Sequence, residues 1–301
     1  GRAHRARQAR TTLSSQHPYT RGCGAGQCFE AAKLPIAGRL PEKMLRHSLF
    51  LLGEFTRRDF KGRYAGSVMG FLWSFVQPLW SLALFTFLFS TIMKVSPGIG
   101  ERTENFAIFL FCGLLPWMAV QEGIIRATTA ITENATLVKK MSFPSGLLVW
   151  AVVLAALLHE AIALGLFLVV LGVTGQLSLS GLWILLIAVP LQIALTAGLG
   201  FLAAAINVFF RDTAQINSML LQGWFYLTPI VYPLSLVPDR FGKYLALNPL
   251  TPLVTLYREA LLGGAMPPLG TLTPLVITST LALVIGIVVF RRLKPVFADE
   301  I

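Results

Sequence analysis

The chain has 301 residues, of which 55% are hydrophobic and only 13% charged, with a mean hydropathy of +0.69. Soluble domains carry about 25% charged residues, and here the apolar residues fall in long runs, so a water-soluble globular domain is excluded and one integral membrane domain is expected. The net charge of +11 does not mark a nucleic-acid partner, because thirteen of the 25 Lys and Arg lie before residue 64, where a juxtamembrane basic cluster fixes orientation and meets anionic lipid.

Residues 1–40 carry scattered Arg, Ser and Thr, no acid before Glu30 and no apolar stretch of signal-peptide length. That composition is close to a transit segment, but the favoured reading is an unstructured or loosely ordered basic tail. Cys23 and Cys28 stand in a C-x4-C spacing with no second pair, so neither a metal site nor a disulfide framework is expected. Cys112 sits in an apolar run as a small core residue.

The first ordered element is expected from Pro41 to Arg63. Pro41 suits a helix start and Glu42 its positive end. Met44, Leu45, Leu49, Leu51, Leu52 and Phe55 recur at spacings of three and four, with Lys43, Arg46, Arg57, Arg58 and Lys61 on the other sides. This is the pattern of an amphipathic interface helix lying on lipid phosphates, or of a cytosolic helix packed on a partner. Six spans are expected next, at about 70–93, 106–125, 146–173, 181–206, 214–231 and 271–290. The first has 24 residues, roughly 36 Å at about 1.5 Å per residue, enough to cross about 30 Å of hydrocarbon. Pro229 and Pro233 break the fifth. Between spans five and six the chain stays apolar but rich in Pro. Asn248-Pro249 is a good helix start and Gly263-Gly264 a stop. Two short re-entrant or interfacial helices on the outer side, about 239–247 and 249–262, are expected to form a gate or exit path.

With the N-terminus inside, the inner segments hold 20 Lys and Arg and the outer ones 5. This positive-inside asymmetry puts both termini in the cytoplasm. No G-x-x-x-x-G-K-[ST] occurs, there is no H-x-x-x-H and no paired-carboxylate motif, and no catalytic or metal-ligating set is expected. A pump of this kind needs a partner or an ion gradient. His159 and Glu160, near the middle of the third span, are the candidates for ion coupling, since intramembrane ionisable residues are functional by default. The alternative is a Glu paired to a neighbouring helix or held neutral.

RRDFKGRYAGSVMGFLWSFVQPLW (Arg57–Trp80) resembles the opening of the membrane subunit of ABC-2-type polysaccharide exporters, the O-antigen and teichoic-acid group. Five more stretches resemble that family in order: Gly113–Ser145, Asn207–Ile216, Trp224–Pro238, Leu247–Leu262 and the closing FRRLKPVFADEI. The resemblance covers about residues 42–301, and His159-Glu160 departs from the family pattern. It implies a permease with no nucleotide site, acting as a homodimer with two copies of a separate ATPase that binds ATP and Mg. The implied cargo is lipid-linked polysaccharide (O-antigen, capsule or wall polymer), moved from the cytoplasmic to the outer face of the bacterial inner membrane. An ABC-2 permease for a small amphiphile, such as a drug or lipo-oligosaccharide, is the first rival; a membrane enzyme on the same lipid carrier is the second.

The resemblance also assigns residues. Asn134, Leu137, Lys139, Lys140 and Phe143 fall in the loop expected to couple to the ATPase. Asn134 suits an N-cap there and the lysines the C-terminal end of the short helix. Arg58, Lys61, Arg63 and Tyr64 stand where a pyrophosphate-linked lipid would be admitted, and Arg suits bidentate phosphate contact. Trp73, Trp117, Trp224, Phe225 and Tyr226 are candidates for a sugar-facing channel wall. Pro229, Pro233, Asn248, Pro249 and Arg258 belong to the outer gate.

Overall fold

The computed structural model describes residues 42–62, 69, 72–94, 102–140, 144–234 and 237–301. Residues 45–301 form one unit, all-helical among the described residues. Helix α1 (Glu42–Gly62) is amphipathic, with Leu49 and Phe50 exposed. Helix α2 (Trp73–Phe85) continues through a π-turn (Thr86–Ile92). Helix α3 (Phe106–Glu133) is followed by the short α4 (Ala135–Lys140), then α5 (Gly146–Val173), α6 (Leu185–Phe209) and α7 (Thr213–Tyr226). On the expected outer side come α8 (Asp239–Leu247) and α9 (Leu250–Leu261). Helix α10 (Leu269–Leu293) and the short α11 (Phe297–Glu300) close the chain.

Helix α3 is the axis of the bundle. Asn105 starts it by accepting from the Ala107 amide at 3.0 Å, and every residue from Phe106 to Trp117 is buried. It packs against α5, α6, α7 and α9. The outside of the bundle is apolar too. Leu158 and Val169 on α5, Leu186 on α6 and Leu281, Val284 and Ile285 on α10 are exposed, as a lipid-solvated surface requires.

Four helical stretches are long and apolar enough to cross a membrane: Phe106–Glu133, Gly146–Val173, Leu182–Phe209 and Leu269–Glu300. They cover expected spans two, three, four and six. The second runs past its expected end at 125 to Glu133, because Arg126 is ion-paired to α1 rather than left in a loop. The fifth ends at Tyr226, not near 231. Its 14 residues reach only about 21 Å, since Pro229 and Pro233 lie in turns beyond it. Two short helices are present where they were expected, at 239–247 and 250–261.

The most extensive helix contact is α6 on α10. A Cβ on Gly198 would collide with the backbone of Ala282 and Leu283, and one on Gly286 with the Gly198 carbonyl. The two backbones touch, and only Gly permits it. Gly198→Leu is therefore expected to destabilise the fold by at least about 2 kcal/mol, whereas Gly165→Leu, at a position with open space around it, should leave thermal unfolding in detergent unchanged.

Candidate functional site

Three polar constellations are embedded in this apolar bundle. The first ties α1 to the end of α3. Arg58 donates to Asn134 Oδ1 at 2.8 Å and lies over the Phe55 ring at 4.8 Å. The next residue, Asp59, pairs with Arg126 at 2.6 Å. Asn134 also donates to the Ala130 carbonyl at 2.9 Å, while its own carbonyl accepts from Leu137 and Val138. The expected N-cap role of Asn134 is thus corrected: its side chain closes α3 and receives Arg58, and only its backbone opens α4. The residues assigned to lipid admission and to coupling are also not two separate sets, because Arg58 from one bonds Asn134 from the other.

Within this region Leu137 is half-buried and Lys139 and Lys61 are exposed. Lys140 ends α4. Arg63, Tyr64 and Phe143 lie outside the described residues, as do Cys23 and Cys28.

The second constellation lies along the spans. His159 Nδ1 is 3.1 Å from Glu122 Oε2, and Glu122 Oε1 is 4.0 Å from Arg126. Glu160 is 8% exposed. Its Oε2 accepts from Gln192 at 2.7 Å, and the Tyr257 hydroxyl donates to Gln192 Oε1 at 2.6 Å. The chain of contacts runs from α1 through α3, α5 and α6 to α9. A cavity of about 490 Å³ between α2, α3 and α5 opens on this network. Glu122, on α3, stands beside His159, so the ionisable pair expected on α5 has a further acid next to it. The neutral-or-paired alternative for Glu160 is met by Gln192.

Sequence reasoning missed Asp59, Glu122, Arg126, Gln192 and Tyr257 as one group. The available signal was the pair Glu122 and Arg126, one helical turn apart in a run otherwise free of charge. Among the described residues no cluster of three or more His, Cys, Asp and Glu has metal-ligand geometry.

The third constellation holds the residues expected at the outer gate. Asn248 Oδ1 accepts from the Trp224 indole at 2.9 Å and from the Leu250 amide at 3.1 Å. Its Nδ2 donates to the Leu227 carbonyl and Thr228 Oγ1, each at 3.1 Å. Pro249 follows as the residue that opens α9. Arg258 is buried, donates to the Ile230 carbonyl at 2.9 Å and lies 3.6 Å above the Phe109 ring, a cation–π contact. Gly113 leaves room for it, since a Cβ there would meet the guanidinium at 3.3 Å. Pro229 and Pro233 are buried in the turns beneath. A cavity of about 710 Å³ lies between α8, α9 and the start of α10, rimmed by the Arg102–Glu259 ion pair at 2.9 Å.

The aromatic candidates divide. Trp117 is 3% exposed and packs on Phe225 at 5.6 Å. It is a core residue with no surface to offer a sugar, which corrects its place in the channel wall. Trp224 and Phe225 are half-buried, with Trp224 engaged by Asn248. Trp73 and Tyr226 are exposed, Tyr226 at 66%.

Residues 51–262 match the family described as the ABC-2 type transporter. The chain belongs to that family. It is 33% identical over 253 residues to the O-antigen export system permease protein RfbA of Myxococcus xanthus, covering 83% of this chain and 95% of that protein. A Klebsiella pneumoniae protein of the same name is 30% identical over 250 residues. The polysialic acid transport protein KpsM of Escherichia coli is 25% identical over 252 residues, covering 83% and 93%. As an ABC-2 family member with several membrane-length apolar helices, the chain is a multi-pass membrane protein. The matched region spans most of α1 through α9 and so contains all three constellations.

Asn248 meets four partners with one amide. Asn248→Ala leaves the Trp224 indole and two outer-turn acceptors without it, and about 2–3 kcal/mol of stability is expected to go. A lowered unfolding midpoint together with faster proteolysis of residues 227–262 would be the readout.

Proposed function

We propose that this chain is the permease subunit of an ABC exporter for lipid-linked polysaccharide, moving it from the cytoplasmic to the outer face of the bacterial inner membrane. The observation that carries the reading is similarity along most of the chain to permeases named for O-antigen export, with a polysialic acid transport protein further off. In this reading the chain crosses six times. The span of α2 and its π-turn and the short α7, extended by the turns after it, join the four long apolar helices, and both termini lie inside. Two copies pair, and two copies of a separate ATPase supply ATP hydrolysis with its Mg. The chain itself catalyses nothing.

The inner geometry supports the coupling assignment. Helix α4 is short and basic at its end, and the Arg58–Asn134 and Asp59–Arg126 contacts join its base to α1. A push on α4 therefore reaches both α1 and α3. The exposed basic residues Arg57 and Lys61 on α1 suit the phosphate of a lipid carrier or the anionic leaflet. Asn248 and Arg258 hold the outer turns as a unit that opens when α9 moves.

Tagged chain purified in mild detergent from its native host is expected to bring a P-loop ATPase in equal number. A chain that purifies alone and remains active alone would end the exporter reading. A cargo of small amphiphiles rather than glycan in the reconstituted pair would replace polysaccharide by the first rival. Replacing Lys139 and Lys140 by Glu should leave insertion and ATP hydrolysis intact while surface glycan falls about tenfold; undiminished export in that variant removes α4 from the coupling path.

A further inference from the structure

The cavity of about 710 Å³ between α8, α9 and the start of α10 lies at the depth of lipid headgroups. Arg102 stands just before the membrane-length stretch Phe106–Glu133, and Leu269 opens the stretch Leu269–Glu300, so two spans end at its level. Helix α8, which forms one wall, is amphipathic and leaves Phe241 and Tyr244 exposed; Tyr is enriched where hydrocarbon meets headgroups. Leu234 and Leu247 line the cavity and are themselves 44% and 70% exposed. The lining therefore runs onto an apolar surface that lipid solvates.

Interior and rim differ in chemistry. Met266 and Leu272 are apolar, and the threonine hydroxyls of the lining are turned to other tasks. Thr255 donates to the Thr251 carbonyl at 3.0 Å and Thr271 to the Pro268 carbonyl at 2.7 Å, while the Thr251 hydroxyl oxygen is buried away from the cavity. A polar ligand finds few partners there, and a hydrocarbon chain needs none. The rim carries one charge of each sign. Arg102 Nε donates to Glu259 Oε2 at 2.9 Å, and the two side chains are 45% and 24% exposed. Among the described residues, the two terminal guanidinium nitrogens and Glu259 Oε1 make no further hydrogen bond. Gly264 permits this pair: a Cβ there would overlap the Glu259 carboxylate and lie 2.8 Å from Arg102 Nε, and the Gly264 amide donates to the Glu259 carbonyl at 2.7 Å.

A lone anion at this rim is drawn by Arg102 and opposed by Glu259, and a lone cation the reverse. A headgroup that joins a phosphate to an ammonium on a short tether satisfies both: the phosphate accepts from the terminal guanidinium nitrogens, and the ammonium donates to Glu259 Oε1. A primary ammonium has N–H groups to donate; a trimethylated one has none. We propose that this cavity is a binding site for a membrane phospholipid with a zwitterionic, primary-amine headgroup, one acyl chain lying between α8, α9 and α10 and the headgroup seated on the Arg102–Glu259 pair. The site goes beyond the export reading and requires only that the chain resides in a bilayer. A chain seated there touches α8, α9 and α10 together, so it braces the two short helices against the start of α10.

The test mixes the full chain in mild detergent with equal amounts of phosphatidylethanolamine, phosphatidylcholine and phosphatidylglycerol of identical acyl chains, and reads retained lipid by native mass spectrometry. Phosphatidylethanolamine is expected to be retained about fivefold over either competitor. Glu259→Gln should bring the ethanolamine and choline lipids to parity, since it removes the ammonium's carboxylate and keeps an oxygen for Arg102. Thr255→Trp, which fills the cavity from its half-buried wall, should lower retention of the ethanolamine lipid about tenfold, and Gly165→Trp, on open surface of α5, should leave it unchanged. Glu259→Gln, a change at the exposed rim, carries the test where Thr255→Trp does not fold. Equal retention of the three lipids, a preference for the choline or glycerol lipid, or an ethanolamine preference that survives Glu259→Gln or a folded Thr255→Trp overturns the site.

Discussion

A charge inside a span persists only where a partner or a wet cavity meets it, and α3 carries two, Glu122 and Arg126, one turn apart. Their partners come from elsewhere in the chain. Asp59 reaches Arg126 from α1, and His159 reaches Glu122 from α5. These polar pairs therefore do structural work that apolar packing in lipid does poorly. Lipid tails are as apolar as Leu, so burying Leu against Leu gives helices little reason to choose one register over another. Polar contacts in a low-dielectric interior are strong and costly to leave unmade, and they fix which turn of α1 and α5 faces which turn of α3. Where no charge sets the register, as between α6 and α10, Gly198 and Gly286 do it by shape.

The other end of the bundle follows the same logic with one amide and one cation. The turns after α7 leave backbone carbonyls, and the start of α9 an amide N–H, beside an apolar bundle, and each must be satisfied within the protein. Asn248 and Arg258 divide that task, one by its amide and the other by a guanidinium resting on Phe109. The region is a well-bonded cap on two short helices with a large cavity under it. That combination fits a gate, which needs a defined closed state and space to move into.

Composition and periodicity made the apolar helices legible, and punctuation made the two short helices between them legible. Helix α5 has its expected bounds because Ser145 and the Gly172–Gly175 region flank an apolar run interrupted only by His159 and Glu160. Helices α8 and α9 appear where Pro238, Asn248-Pro249 and Gly263-Gly264 mark them. The sequence was silent on pairing at a distance. Glu122 and His159 are 37 residues apart and Asp59 and Arg126 are 67 apart, and no local rule joins them. The end of α3 was misread for the same reason: Arg126 looks like the start of a loop until Asp59 is seen to meet it. Asn134 misled in a subtler way, since Asn suits either side of a helix junction, and Arg58 decides which groups its side chain meets. Trp117 was unreadable as core or wall, because an indole serves in both and only its contact with Phe225 separates them.

Within the export reading, the inner and outer polar groups form one mechanical path. Arg58 and Asp59 are successive residues of α1, and each grips a different part of α3: the cap at Asn134 and the body at Arg126. Two grips on one helix resist rotation as well as sliding, so motion imposed at α4 passes to α1 and α3 together instead of being absorbed at the junction. From α3 the contacts pass through Glu122 to His159, whose neighbour Glu160 continues through Gln192 to Tyr257 on α9. The links between different helices are short polar contacts, each with a partner to lose if its helix shifts alone, and the steps from Arg126 to Glu122 and from His159 to Glu160 run within one helix. A network of that kind favours moving as a whole over yielding piecemeal. It gives a force applied on the cytoplasmic side a route to the outer gate that apolar packing alone would not provide.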